Sequence, residues 1–190
     1  MGEAVTVLAD LSIGEGLHHD LDHDAYHADP IPGGSLSVSG AKKLLAPSTP
    51  AHYKAHRDKP PRPTEAMLNG SAAHRMLLGA GQDIAVIPYD DWRTKAAQAA
   101  VAEAEGAGLI PIKRDALERL TAMSSALRAH PIASQLFDRD TGQAEVSAFW
   151  QHPSGVMLRC RYDFLPNPGG DRLIIPDYKT TTDASDEHIA

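Results

Sequence analysis

The chain has 190 residues, of which 42% are hydrophobic and 5% aromatic, and a net charge of -7 from 25 Asp and Glu against 18 Lys and Arg. That length suits one domain with a sizeable core plus appended segments. No run of about 18 apolar residues is present, which excludes a membrane-spanning helix. The N-terminus lacks a secretory layout. The single cysteine, Cys160, excludes an internal disulfide, so a reducing, cytoplasmic setting is expected.

Residues 1–34 read as a flexible, acidic, His/Asp-rich extension. Residues 1–29 hold Glu3, Asp10, Glu15, Asp20, Asp22, Asp24 and Asp29 but no Lys or Arg. Removing those seven acids leaves 18, matched by the 18 basic residues, so the remainder is neutral. The clustered His18, His19, His23 and His27 have no spacing that closes a structural zinc site. A structured domain over 35–190 begins at "SLSVSGAKKLL", where Ser39 is the expected cap of a short helix burying Leu44 and Leu45. "PSTPAHYKAHRDK" predicts a second short helix, with Ser48 or Thr49 as cap and Pro50 in its first turn. This stretch is locally basic, through Lys42, Lys43, Lys54 and Arg57.

After the "PPRP" link, "TEAMLNGSAAHRMLLG" predicts a helix capped by Thr64, ending at Gly79 and burying Met67, Leu68, Leu77 and Leu78. "IAVI" (84–87) is a strand candidate. "WRTKAAQAAVAEAEGAG" is an Ala-rich helix closed by Gly106 or Gly108. "KRDALERLTAMSSALRAH" spaces Leu117, Leu120, Met123 and Leu127 as one helical face, ended by Pro131 and followed by a helical turn through "IASQLF". The pattern then changes to β. "QAEVSAFW", "GVMLRCRYDFLP" and "DRLIIPDYKT" are separated by "HPSG" and "NPGG", predicting an antiparallel meander and a mixed α+β fold.

Strand residues two apart share a face. Asp177 and Lys179 are therefore expected to project together, with Tyr178 on the other side. Arg161 and Asp163 share one face of the preceding strand. Pairing about Gly170 would set Asp163 opposite Asp177 and Arg161 opposite Lys179, at the roughly 4.5–5.5 Å of directly opposed Cβ atoms. Two carboxylates at that range repel unless they share a proton or a cation. Mg²⁺ or Mn²⁺ suits such hard oxygen donors, and Lys179 would orient or deprotonate a water and stabilise phosphate charge. That set hydrolyses a phosphodiester; a solvated hairpin face is the other meaning of the same pattern. His74 falls on or beside the buried stripe of its helix, as a core residue or a ligand. Pro176 cannot donate to a ladder and belongs at an edge or bulge.

The segments "SVSGAKKLL…STPAHYKAH", "NGSAAHRMLL", "AEVSAFW", "GVMLRCRYDFLP" and "LIIPDYKTTT", in that order, resemble the exonuclease VIII (RecE-type) branch of the PD-(D/E)xK nucleases. These are related to RecB-type and λ-type exonucleases. The resemblance spans about 35–182 and implies a mixed α/β, restriction-endonuclease-like core with N-terminal helices. It implies an Mg²⁺ (or Mn²⁺)-dependent exodeoxyribonuclease that degrades linear double-stranded DNA from its ends, 5′ to 3′, in phage-type recombination. A single-strand annealing recombinase would be its partner, homo-oligomers are admitted, and no membrane is involved. By the same resemblance His74, Asp163, Asp177 and the backbone carbonyl of Tyr178 hold the metal, Lys179 is the catalytic lysine, and Glu145 supports the site from behind. Lys42, Lys43, Lys54, Arg57 and Arg161 are the candidate DNA contacts, a solvated helix face being the alternative for the first four. The family continues past the lysine with a Gln-x-x-x-Tyr helix and further strands, so the expectation is a chain cut short at its C-terminus. A catalytically incomplete DNA-binding or interaction module is therefore the competing reading.

Overall fold

A computed structural model describes residues 13–187 except 170, 182 and 186. Its elements are β1 (Gly16–His18), α1 (His23–His27), β2 (Leu36–Ser37), α2 (Val38–Lys42), α3 (Pro50–Asp58), α4 (Glu65–Leu78) and β3 (Ile84–Ile87). There follow α5 (Lys95–Gly106), β4 (Ile110–Lys113), α6 (Arg114–Ala129), α7 (Ala133–Leu136), β5 (Gly142–Gln151) and β6 (Met157–Pro166). The mixed α/β class is as expected. One sheet has the order β1-β5-β6-β2; β3 and β4 form a separate parallel pair.

The local signals act largely where the sequence places them. Thr64 Oγ1 accepts the N–H of Met67 and caps α4. Gly79 closes that helix at φ 65°, a left-handed conformation that glycine adopts without a Cβ penalty. Arg128 donates to the Met76 carbonyl and Arg139 to that of Leu78, satisfying acceptors that the helix end leaves open. Thr49 caps α3. For α2 the cap is Ser37 rather than Ser39, because its hydroxyl reaches the N–H of Gly40. Leu44 and Leu45, expected inside, are exposed, as is Met67; a five-residue helix has too few turns to hold a buried face.

Ala72 and Ala73 of α4 are small enough to let β4 and α6 approach closely. Around them Ile110, Ile112, Ala116, Leu120 and Tyr178 form the main buried cluster, flanked by Leu68, Leu77, Leu117 and Phe137. Each fully buried aliphatic side chain there contributes about 1.5–3 kcal/mol. The β5–β6 hairpin turns at "HPSG", where Gly155 adopts φ 85° and its N–H donates to the His152 carbonyl at 2.8 Å.

Two expectations change. Residues 13–34 are not a loose arm: β1 pairs antiparallel with β5, Leu17 opposite Ala148. Tyr26 and Ile31 pack on Phe149, with Leu21 and Ile13 beside them, in a second buried cluster. The part of the expected extension before residue 13 lies outside the described residues. The meander also stops after two strands. Residues 173–180 form no ladder, and β6 instead pairs in parallel with β2, Leu36 opposite Leu158. Pro176 has no N–H to give, and the Tyr178 N–H is taken by a side chain, the Asp163 carboxylate.

Candidate active site

Three pieces of chain converge. His74 comes from the middle of α4, Asp163 from the second half of β6, and Asp177, Tyr178 and Lys179 from the extended segment after it. Asp163 Oδ2 accepts the Tyr178 N–H at 2.8 Å, and this bond fastens the segment beside β6 in place of a ladder. The alternation expected of residues 177–179 holds without strand pairing. Asp177 and Lys179 share a face, with Lys179 Nζ 2.7 Å from Asp177 Oδ1. Tyr178 turns the other way into the main core, 8% exposed, its ring 5.5 Å from the His74 ring and 6.5 Å from that of Phe137.

His74 lies between the two acidic segments. Its Nε2 is 2.7 Å from the Tyr178 carbonyl oxygen and its Nδ1 is 3.6 Å from Asp163 Oδ1. Lys179 Nζ is 3.6 Å from Asp163 Oδ2, so one ammonium group serves both carboxylates. Burial is the largest influence on Asp163 and raises its pKa, with a hydrogen bond to Asp177 acting the same way. For Asp177 burial also pushes upward, but hydrogen bonds from Lys179 and Asp163 outweigh it and the pKa falls. The shared site thus moves the two carboxylates in opposite directions, Asp163 upward and Asp177 downward. For Lys179 desolvation is outweighed by the two carboxylates, which hold its pKa up.

Among the described residues no three His, Cys, Asp or Glu side chains are grouped to hold a metal ion as they stand. The reason is geometric: the Lys179 ammonium group bridges the two acids, and the His74 ring is bonded to the carbonyl. The donor set itself, two carboxylates, one backbone carbonyl and one imidazole on one side of β6, fits a hard divalent cation.

The remaining predicted residues are distributed differently. Glu145 occupies the register position opposite Asp163 but skips the ladder, its backbone at φ 58°. Such a left-handed value is rare for a strand glutamate and costs on the order of 1–3 kcal/mol. Its carboxylate meets Arg161 Nε at 2.6 Å. Arg161 is accordingly turned inward. It donates to the Leu21 carbonyl at 3.0 Å and lies over the Tyr26 ring, as Arg159 also does. It is thereby engaged by the N-terminal segment while still lining the cavity beside His74 and Asp163. Lys42, Lys54 and Arg57 are exposed and Lys43 half-buried. Lys54 and Arg57 both pair with Asp58, and α3 buries no residue.

Sequence reasoning missed α1. His23, Tyr26 and His27 line the same cavity as His74 and Asp163, yet nothing in the polar stretch around them signals a structured wall. No helix of the described residues is long and apolar enough to cross a membrane.

A family model described as "PDDEXK-like domain of unknown function (DUF3799)" matches residues 37–190. A search of curated proteins finds no match.

Proposed function

Because the chain belongs to this family of PDDEXK-like domains, whose superfamily consists of nucleases that generally use divalent metals, we propose that it is an Mg²⁺- or Mn²⁺-dependent exodeoxyribonuclease. Its substrate in this reading is linear double-stranded DNA, degraded 5′ to 3′ to leave a 3′ strand for an annealing recombinase in phage-type recombination. The supporting observation is the convergence of His74, Asp163, Asp177, the Tyr178 carbonyl and Lys179 from α4, β6 and the segment beyond it. The exonuclease branch, its polarity and its partner rest on the sequence resemblance.

The four donors would hold the cation, which when bound supplies Lewis-acid polarisation of the phosphate and an acidified water. The chain's own contributions follow from the geometry. Asp163, fixed by the Tyr178 N–H and beside the His74 ring, gives the site a rigid oxygen donor. Asp177 keeps its charge because Lys179 donates to it. Lys179, with 70% of its side chain exposed, is free to swing from the acids to an incoming phosphate or nucleophilic water. Tyr178 anchors the pair by its ring and leaves only its carbonyl to the site.

A second reading, a DNA-binding or interaction module without catalysis, is favoured by one feature. Residues 173–180 carry no ladder bonds, and Leu173 and Ile174 are each 56% exposed. One experiment separates the two. Linear and closed circular duplex DNA are incubated with the chain and Mg²⁺, alongside Lys179→Ala. Loss of linear DNA alone, slowed about 10²–10³-fold by the substitution, supports the exonuclease. Identical behaviour of the two proteins sinks it. Strand-specific end labels then read the polarity.

A further inference from the structure

α4 carries a glycine at its centre that packing does not require. A Cβ added at Gly70 would meet only Thr180 Oγ1, at an ordinary 3.8 Å, although glycine in a helix interior costs about 1 kcal/mol relative to alanine. The space that Gly70 and the neighbouring Ser71 leave open belongs to a cavity of about 380 Å³. His74 and Asp163 lie on its wall, so this space adjoins the candidate catalytic centre. The facing wall is α1, whose His23 and His27 rings stand one helical turn apart with centroids 4.4 Å from each other. Gln82 Nε2 donates to Asp24 Oδ1 at 3.3 Å, tying the loop after α4 to α1. A second cavity of about 510 Å³ shares His23, Gln82, Glu145 and Arg161 with the first, so the two are adjacent.

We propose that the cavity between α1 and α4 receives one unpaired nucleotide adjoining the scissile phosphate, its base stacked on the His27 imidazole, against which the His23 ring packs at a tilt of 55°, so that the chain prefers a DNA end with an unpaired strand to a fully paired one. This rests on the nuclease reading above. Cavities of about 300–1,000 Å³ take small-molecule-sized ligands, so the first cavity, of about 380 Å³, is large enough for a single nucleotide. Partial burial, helped by His23, Arg161 and Arg159, lowers the pKa of His27 to about 4, leaving its ring uncharged and planar at neutral pH. The histidines lie in the N-terminal segment, outside the residues matched by the family model. Base–aromatic stacking contributes about 1–3 kcal/mol per base.

The test compares binding, with Ca²⁺ replacing Mg²⁺, of a blunt duplex and of the same duplex with a short unpaired strand at one end. Wild type is expected to bind the unpaired end about tenfold more tightly. The double variant His23→Ala/His27→Ala loses that difference, and His23→Phe/His27→Phe retains it because the stacking faces remain. Gly70→Ala narrows the cavity and weakens the unpaired-end complex while raising the unfolding midpoint, so misfolding cannot explain its effect. Equal affinity of wild type for the two ends overturns the inference, as does an equal loss on both in the histidine variant. If wild type neither binds nor cleaves any DNA, the nuclease reading falls and takes the inference with it. If wild type cleaves DNA with no preference for an unpaired end, only the inference falls.

Discussion

Replacing Tyr178 by alanine tests the link between core packing and the candidate chemistry. The ring is 8% exposed and belongs to the main core cluster with Ala72, Ala73, Ile110 and Leu120. Aromatic-to-alanine changes in cores cost about 3–5 kcal/mol. The lower end applies here, because a segment without ladder bonds can settle into part of the space. At roughly 2–4 °C per kcal/mol for a chain of this size, about 3 kcal/mol lowers the unfolding midpoint by about 6–12 °C. The same substitution loosens Asp177 and Lys179 from β6, since it removes the ring and leaves only the backbone N–H bond to Asp163 to fasten them. Digestion of linear DNA should then fall by at least the factor caused by Lys179→Ala. Tyr178→Phe keeps the ring and should behave as wild type in both assays. Thermal unfolding of the three proteins, with DNA digestion at a temperature where all are folded, gives both readings. A Tyr178→Ala protein with unchanged midpoint and unchanged digestion would refute the claim that this side chain anchors the segment.

Gly142→Ala should destabilise the fold by about 1–3 kcal/mol in urea titration, because its Cβ would lie 2.5 Å from both the Leu165 carbonyl oxygen and Phe164 Cε1. Burial raises the pKa of Asp29, but hydrogen bonds from Ser35 and Arg159 outweigh it and leave the value below 3.8. Its stabilisation is therefore present above pH 3.8 and lost as pH falls through the lowered folded value. Asp29→Asn should cost about 1.5–3 kcal/mol at pH 7 and progressively less as the pH is taken further below 3.8, as read from urea midpoints along a falling pH series. If Lys42 and Lys43 each neutralise one DNA phosphate, replacing both with Gln reduces the slope of log affinity against log salt by about 1.8. An unchanged slope excludes them from the interface.

The parts legible in the sequence are those with local causes. Thr64, Gly79 and the Ala/Leu spacing define α4 because capping and helical period act within a few residues. "HPSG" defines the β5–β6 hairpin for the same reason. The alternation of Asp177, Tyr178 and Lys179 gives the correct facing because an extended chain alternates whether or not it is paired. The pairing partner depends on distant atoms and was not legible. Pro176 withholds an N–H, the Asp163 carboxylate captures another, and the two residues of β2 take the free edge at the start of β6. β1 and β2 are also too short to have a period. Leu21, Tyr26 and Ile31 bury themselves by meeting Phe149, more than a hundred residues away. Their polar surroundings hide that outcome from any window of sequence.

The position of Arg161 shows why one face of β6 does two jobs. Arg159, Arg161 and Asp163 are two apart and project to the same side, so two cations and one anion stand in a row. Left to solvent, the arginines would compete with Lys179 for Asp163 or offer a phosphate a resting place beside the centre. The N-terminal segment and β5 together draw both arginines away from Asp163. Asp29 pairs with Arg159, Glu145 pairs with Arg161, and Tyr26 lies against both guanidinium groups. Asp163 is then left to His74, Asp177, Tyr178 and Lys179. The left-handed backbone of Glu145 fits this division, because it occurs where β5 would otherwise present a second acid directly opposite Asp163. Turned aside, that carboxylate neutralises Arg161 instead of adding to the charge at the catalytic pair. The acidic N-terminal stretch thus acts through shape and charge together, covering the cations of β6 while α1 closes one side of the cleft.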